Sequence, residues 1–328
     1  MKNFATAALL AGVAACANAQ EPASEPAAEV LAQPAIAELA KPDWVRSPFG
    51  PDDRLGAVGH LTPEKTAAAA RLITTGKTYG LGMVTGPDTA AYGPRKFEVT
   101  ILQLTDGSGA PVGANRLVSN DDKIHGSVGV GSQIDGLGHI GIDHIYYNGV
   151  PVADFVQTTG LTQFGTHTLP PIATRGILLD MTAQFGNPVP DGTPFNRAEI
   201  DTALAAADLT VEEGDVVIFH TGKMAATDPS EMYQTFPGLG VEGAEYLASL
   251  GVVAVGSDTW GLEVVPFEDP TKFFEVHATL LAKNGVYILE NMVTEHLAAD
   301  GVTEFFFSLG VPRLEGTVQA IINPVAIR

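Results

Sequence analysis

Along the second half of the chain, short continuous apolar runs alternate with segments of helical period. Residues 176–182 (GILLDMT), the VVIF of EEGDVVIFHTG, VVAVGSDTW and VYILE are too short for core helices and too evenly apolar for strands with one wet face. Such runs predict buried strands of an α/β sheet. Between them a helix is predicted over 196–206 and another in VEGAEYLASLG, ended by Gly251. Nearer the start, LTPEKTAAAARLITTGK predicts a helix with Thr62 as N-cap, Pro63 at the first helical position and Gly76 as the stop. FEVTILQLT (97–105) reads as a strand, and a short helix over 291–299, EFFFSL and VQAIINPVAI complete a mixed pattern. There is no internal repeat and no second linker. The expected fold class is α/β, a single domain with a mixed central β-sheet flanked by helices. Residues 106–150 are glycine-rich with little regular structure of their own, and loops of that length are usually functional or disordered.

Composition narrows the function classes. The chain has 328 residues, 45% of them hydrophobic, enough for a large core. Its net charge of −20, pI of about 4.6 and lack of a basic cluster argue against nucleic acid and anionic membranes as partners. The start, MKNFATAALLAGVAACANAQ, has one basic residue and then an apolar run from Phe4 to Cys16. That run is too short to span a bilayer and reads as an export signal over 1–19. Two cleavage outcomes compete. Val13-Ala14-Ala15-Cys16 has the form of a lipoprotein box, which would lipidate Cys16, whereas Ala17-Asn18-Ala19 fits an ordinary cleavage before Gln20. Either outcome implies an exported protein, periplasmic or lipid-anchored to a bacterial envelope membrane. Residues 20–41, rich in Ala, Pro and Glu, read as a flexible tether ahead of a folded domain over 42–328. Cys16 is the single cysteine, so the folded part has no disulfide, thiolate nucleophile or cysteine metal site.

The chemistry concentrates in GSQIDGLGH, residues 131–139. In an extended segment, residues two apart point the same way, so Gln133 and Asp135 share a face. Gly136 and Gly138 let the chain turn back and bring His139 to the same point. Two oxygens and an imidazole suit a divalent ion such as Zn²⁺ or Mn²⁺. A glycine-rich turn with Asp135 capping backbone amides is the structural alternative. A second pair adds to the first: His277 ahead of Leu280-Leu281, and Glu290 at the end of VYILE beside Asn291, which is read as opening a helix. Of the eight histidines, His60, His220 and His296 have no partner motif and are read as structural. His167, in FGTH followed by Leu169-Pro170-Pro171, reads as loop structure, and His125 and His144 are held in reserve as proton carriers.

Taken together, these blocks give the chain a family resemblance. It resembles the cyclase family that includes kynurenine formamidase, isatin hydrolase and trans-dienelactone hydrolase. The family signature, His-x-Gly-Thr-His-x-Asp-x-Pro-x-His, is matched here by residues 129–139, where Asp135 and His139 agree while Gly129 and Gln133 replace the first two histidines. Tyr147-Asn148-Gly149 also matches, as do SPFGPDDRLGAVGHLTPEK, RGILLD, GDVVIFHTG, GVVAVGSDTWGLEVVP, VHATLLAKNGVYILEN and INPVAI, so the resemblance spans nearly all of the mature chain.

The resemblance implies a swivelling β/β/α-like fold and an exported metal-dependent hydrolase that cleaves an amide, lactone or related carbonyl bond of a small substrate. Its late ligands carry over to His277 and Glu290. With Gln133, Asp135 and His139 they form the implied metal set, for one Mn²⁺ or Zn²⁺ rather than two ions. An ion of this kind activates water and polarises the carbonyl, while His139 or Glu290 moves the proton. No Gly-x-Ser-x-Gly stretch supports a serine nucleophile. The competing reading is a non-catalytic exported ligand-binding protein on the same fold. A small-molecule substrate and a homo-oligomer are expected. Trp260, Tyr146, Tyr147, Phe164 and the phenylalanines at 273–274 and 305–307 are candidates for a pocket wall, the core or a subunit interface.

Overall fold

The computed structural model describes Trp44 and residues 46–103, 109–226 and 234–328. The segment 1–19 read as an export signal, with Cys16, and the segment 20–41 lie outside the described residues. No helix of the described residues is long and apolar enough to cross a membrane.

The apolar runs form the middle of a nine-stranded sheet. Its strands are Thr78–Gly80 (β1), Gln133–Asp135 (β2), Ile172–Asp180 (β3), Val216–His220 (β4), Ala254–Ser257 (β5), Tyr287–Glu290 (β6), Glu304–Leu309 (β7), Gln319–Ile321 (β8) and Val325–Ile327 (β9). They lie in the order β1-β9-β7-β3-β4-β5-β6-β2-β8. Strands β3 to β6 are mutually parallel, and antiparallel strands extend the sheet on both sides. Burial follows this division: β4, β5 and β6 are buried throughout, whereas β7 alternates, with Phe305, Phe307 and Leu309 turned inward. The central parallel strands are covered on both faces and β7 on one, which explains the two sequence patterns.

The three longest α-helices of the described residues are Pro63–Ala69 (α1), Arg197–Ala207 (α2) and Val241–Ser249 (α3). Thr62 Oγ1 accepts from Lys65 N at 3.1 Å and caps α1 as its sequence predicts. The stop is earlier than Gly76. After a tight turn over Ala70–Leu72 the chain leaves the helix, and the N–H groups of Thr75 and Gly76 both donate to Arg328 O, at 3.0 and 2.6 Å. A tertiary bond to the end of β9 thus replaces the last helical turn. For α2, Glu199 Oε2 accepts from Asn196 N at 3.0 Å, half of a capping box.

Two readings need adjustment. Among the described residues, 106–150 is largely irregular as expected, yet it holds two longer strands that the sequence does not announce. Residues 120–126 pair antiparallel with 97–103 in an exposed hairpin, and β2 enters the main sheet. The polar NDDKIHG and the three-residue QID carry no apolar alternation, so neither reads as a strand locally. Asn291 does not open a helix. It takes a left-handed backbone with φ of 54°, its N–H donates to Thr259 O at 3.0 Å, and the helix is confined to Glu295–Ala299.

The carboxyl ends of β4 and β5 are tied by a buried polar knot. Asp258 accepts from Thr221 N and Gly222 N at 2.9 Å each, and from Thr221 Oγ1 at 2.7 Å. His220, read from sequence as partnerless, stands 2.7 Å from Thr294 Oγ1 and 3.4 Å from Asp258 Oδ2. Burial opposes charging of His220, but the Asp258 hydrogen bond and charge outweigh it and hold its pKa above the ordinary 6.5. Because the folded pKa is the higher one, the stabilisation is complete below pH 6.5 and is lost as pH rises through the folded value. Urea midpoints taken across neutral to mildly alkaline pH should fall for the wild type and flatten for His220→Gln. Parallel curves would show that this pair does not carry the dependence.

Candidate metal centre

Register assembles the site. In β2, Asp135 lies opposite Ile288 of β6 and Gln319 of β8, and Gln133 lies opposite Glu290 and Ile321. Residues in register share a face of the sheet, so Gln133, Asp135, Glu290 and Gln319 project together. All four are buried. At Gly136 the backbone passes so close to β8 that a Cβ would stand 2.7 Å from Val318 O, and only glycine fits. His139 N then donates to Gly136 O at 3.0 Å, and the turn brings His139 Nε2 to 3.7 Å from Asp135 Oδ2.

His277 arrives from elsewhere. It ends the turn Glu275–His277, which widens into a π-helical segment over Ala278–Lys283, an irregularity common at functional sites. Its Nε2 lies 3.3 Å from Glu290 Oε1 and 3.7 Å from Asp135 Oδ2. On the other side Nδ1 meets Glu263 Oε1 at 2.5 Å, and this carboxylate fixes the ring.

The outer carboxylate oxygens are held by amides. Gln133 Nε2 donates to Glu290 Oε2 at 2.8 Å and to Asp135 Oδ1 at 3.3 Å, and Gln319 Nε2 donates to Asp135 Oδ1 at 2.6 Å. Ionised carboxylates only accept, so both amides must face them through nitrogen. Two buried atoms of this cluster then have no hydrogen-bond partner: Asp135 Oδ2 and Gln133 Oε1. Leaving such atoms bare is costly.

Burial and the Asp135 charge push the Glu290 pKa up, against the pull of His277. Burial alone would lower His277, yet its hydrogen bonds to Glu263 and Glu290 hold it up. Burial also lowers His139, outweighing Asp135, and keeps that imidazole neutral.

These residues fit a divalent ion. Asp135, His277 and Glu290 each offer one ligand atom, all within 4.8 Å of one another. Tetrahedral ligand atoms about 2.1 Å from one ion stand about 3.4 Å apart, close to the separations seen here and longer than hydrogen bonds. The bare Asp135 Oδ2 faces the shared point, and the donors are the mixed oxygen and imidazole set suited to such ions.

All five sequence-predicted site residues, Gln133, Asp135, His139, His277 and Glu290, come together. The reserve histidines do not: His125 is exposed on the hairpin and His144 sits in a loop with φ of 65°. His167 Nδ1 accepts from Gly316 N at 3.1 Å, a loop role as read from sequence. Beside the cluster opens a cavity of about 190 Å³ whose further lining includes Tyr92, Arg95, Ile140, Trp260, Phe274 and Gln319. Tyr92 stacks on Trp260 with centroids 4.4 Å apart. Of the aromatic candidates, Trp260 and Phe274 reach this cavity, while Phe305, Phe307, Tyr147 and Phe164 are core. Sequence reasoning missed Glu263, Gln319, Tyr92 and Arg95. The alternation in VQAI offered a faint signal for Gln319, and the others offered none.

The Cyclase family model matches residues 57–264. The crystal structure of a novel cyclase aligns with a TM-score of 0.76 at 30% identity, covering 85% of this chain and 98% of that one. Isatin hydrolase A from Ralstonia solanacearum aligns with a TM-score of 0.60 at 14% identity, covering 82% of this chain and 98% of its own. An isatin hydrolase bound to the product analogue thioisatinate gives 0.54 at 18% identity, with 81% and 98% covered. At those identities the last two share the fold. No curated protein sequence matches the chain. A family match over most of the folded residues, together with the 30% identical cyclase structure, places the chain in the cyclase family.

Proposed function

We propose that the protein is a metal-dependent hydrolase of a carbonyl bond, an amide or lactone, in a small substrate with a flat ring. The observation that carries this reading is the bare, buried Asp135 Oδ2 between two imidazole nitrogens at 3.7 Å. Asp135, His277 and Glu290 would hold the ion, Mn²⁺ or Zn²⁺, with Gln133 Oε1 as a fourth donor. When bound, such an ion acidifies a water and polarises a carbonyl. His139 is the group placed to take a proton at Nε2 and return it to the leaving group, because it is neutral and keeps 20% of its side chain exposed beside the cavity. Glu263 holds His277 through Nδ1 and leaves Nε2 for the ion. Tyr92, Trp260 and Phe274 give the cavity an aromatic lining suited to a planar substrate, and its volume of about 190 Å³ limits the size. The isatin hydrolase bound to thioisatinate supports a substrate of that kind.

Purified protein should carry about one divalent ion per chain and hydrolyse members of a panel of aryl amides and lactones. Asp135→Ala should remain folded and lose the ion. His139→Ala should keep the ion and lose turnover by roughly 10²–10⁴-fold, the usual contribution of a general acid–base group. Full metal occupancy in Asp135→Ala would sink the metal reading. A wild type that binds an ion but hydrolyses nothing would favour a ligand-binding protein on this fold.

The assembly proposed is a homo-oligomer built through the hairpin 97–103/120–126. Val99, Ile101 and Ile124 are exposed on it, and a two-stranded hairpin is marginal without a covering surface. Ile101→Asp combined with Ile124→Asp should reduce the mass found by light scattering to that of one chain. An unchanged mass would place the interface elsewhere.

Export is proposed from the apolar run that ends at Cys16. Intact-mass measurement on protein from the native cell should find a lipid adduct on Cys16 or a terminus at Gln20, and retention of Met1 would exclude both.

A further inference from the structure

We infer that Gly129 and Gln319 act as one positioning device, in which the missing side chain at 129 makes room for the amide that orients Asp135. Gln319 lies directly across the β2–β8 ladder from Asp135, and its Nε2 donates to Asp135 Oδ1 at 2.6 Å, the shorter of that oxygen's two amide contacts. With Oδ1 held, Oδ2 is the oxygen left to face His139 and His277. The carboxylate is therefore set to offer one oxygen rather than two.

The space that permits this belongs to Gly129. A Cβ built there would stand 2.4 Å from Gln319 Oε1, 2.9 Å from Cδ and 3.0 Å from Nε2. Nothing in the local backbone demands glycine, since Gly129 is absent from the residues of positive φ. Its carbonyl accepts from Arg95 Nη1 at 3.1 Å, a contact that ties the Gly129 backbone in place. The Gln319 backbone is fixed in β8, and the free end of its side chain is the part able to yield. One methyl group at 129 would thus push the amide off Asp135 while leaving the fold in place. Gln319 and Gly129 are positioning residues here, acting through Asp135.

This inference rests on the metal reading above, and its test reads metal binding without turnover. Mn²⁺ would be titrated calorimetrically into chelator-treated wild type, Gln319→Met, Gly129→Ala and the double variant. The methionine keeps the length and bulk of glutamine and removes the donor. Each single variant should bind Mn²⁺ about 10–100-fold more weakly, the usual cost of losing a partner behind a metal ligand. The double variant should bind no more weakly than the weaker single one, because both changes break the same contact. The electron paramagnetic resonance spectrum of bound Mn²⁺ should change alike in both singles as Asp135 is freed to turn, and metal-free thermal midpoints should separate this from unfolding. If both singles bind like wild type, or if their losses simply multiply in the double, the pairing is wrong. A wild type with no affinity for Mn²⁺ or Zn²⁺ would instead overturn the metal reading and this inference with it.

Discussion

Three carboxylates, Asp135, Glu263 and Glu290, are buried around one imidazole, His277. Like charges so close and so far from water repel strongly, and taking each out of solvent costs several kcal/mol, of the order expected for buried ions. The structure answers with donors on every side: His277 between Glu263 and Glu290, Gln133 across Glu290 and Asp135, Gln319 behind Asp135. One carboxylate oxygen, Asp135 Oδ2, is left over. An interior that satisfies all of its other carboxylate oxygens and leaves this one bare between two imidazoles is poised for a cation.

The mixed sheet makes that concentration attainable. Its parallel centre delivers Glu290 at the carboxyl end of β6, where α/β folds commonly carry their chemistry. The antiparallel flank then places β2 and β8 in register beside it, so side chains from three strands face one point. Precision comes from rigid backbone, and the loops add what rigid strands lack: His139 on its glycine turn, and the aromatic pair Tyr92 and Trp260 over the cavity.

Amides do the work at two positions of this centre where charged or basic groups would be the simpler choice. Gln133 spans two carboxylates through its nitrogen and still offers an oxygen, a pair of roles that a single imidazole nitrogen cannot fill. Gln319 uses the room left by Gly129. The overall acidity of the chain is compatible with this arrangement, because screening by salt and water keeps distant surface charges from weighing on a buried cluster.

What the sequence determined by itself was local. Continuous apolar runs marked β3 to β6 because strands buried on both faces need them, and α1 announced its start through Thr62 and Pro63. Gln133, Asp135 and His139 were legible because an extended i, i+2 step followed by glycines has few other geometries. The later pair, His277 and Glu290, was faintly legible as a histidine near an acid at a strand end, and its ligand role was implied by family resemblance. Tertiary structure decided the rest. Gln319 bonds Asp135 across 184 residues of chain, and Glu263 reaches His277 from a non-strand segment, so neither contact leaves a periodic trace. The end of α1 was set by a bond to Arg328 O, and the hairpin strand 120–126 by its partner alone. Local sequence fixes which backbone shapes are inexpensive. Which side chains then meet depends on register and long-range closure, and those are properties of the whole fold.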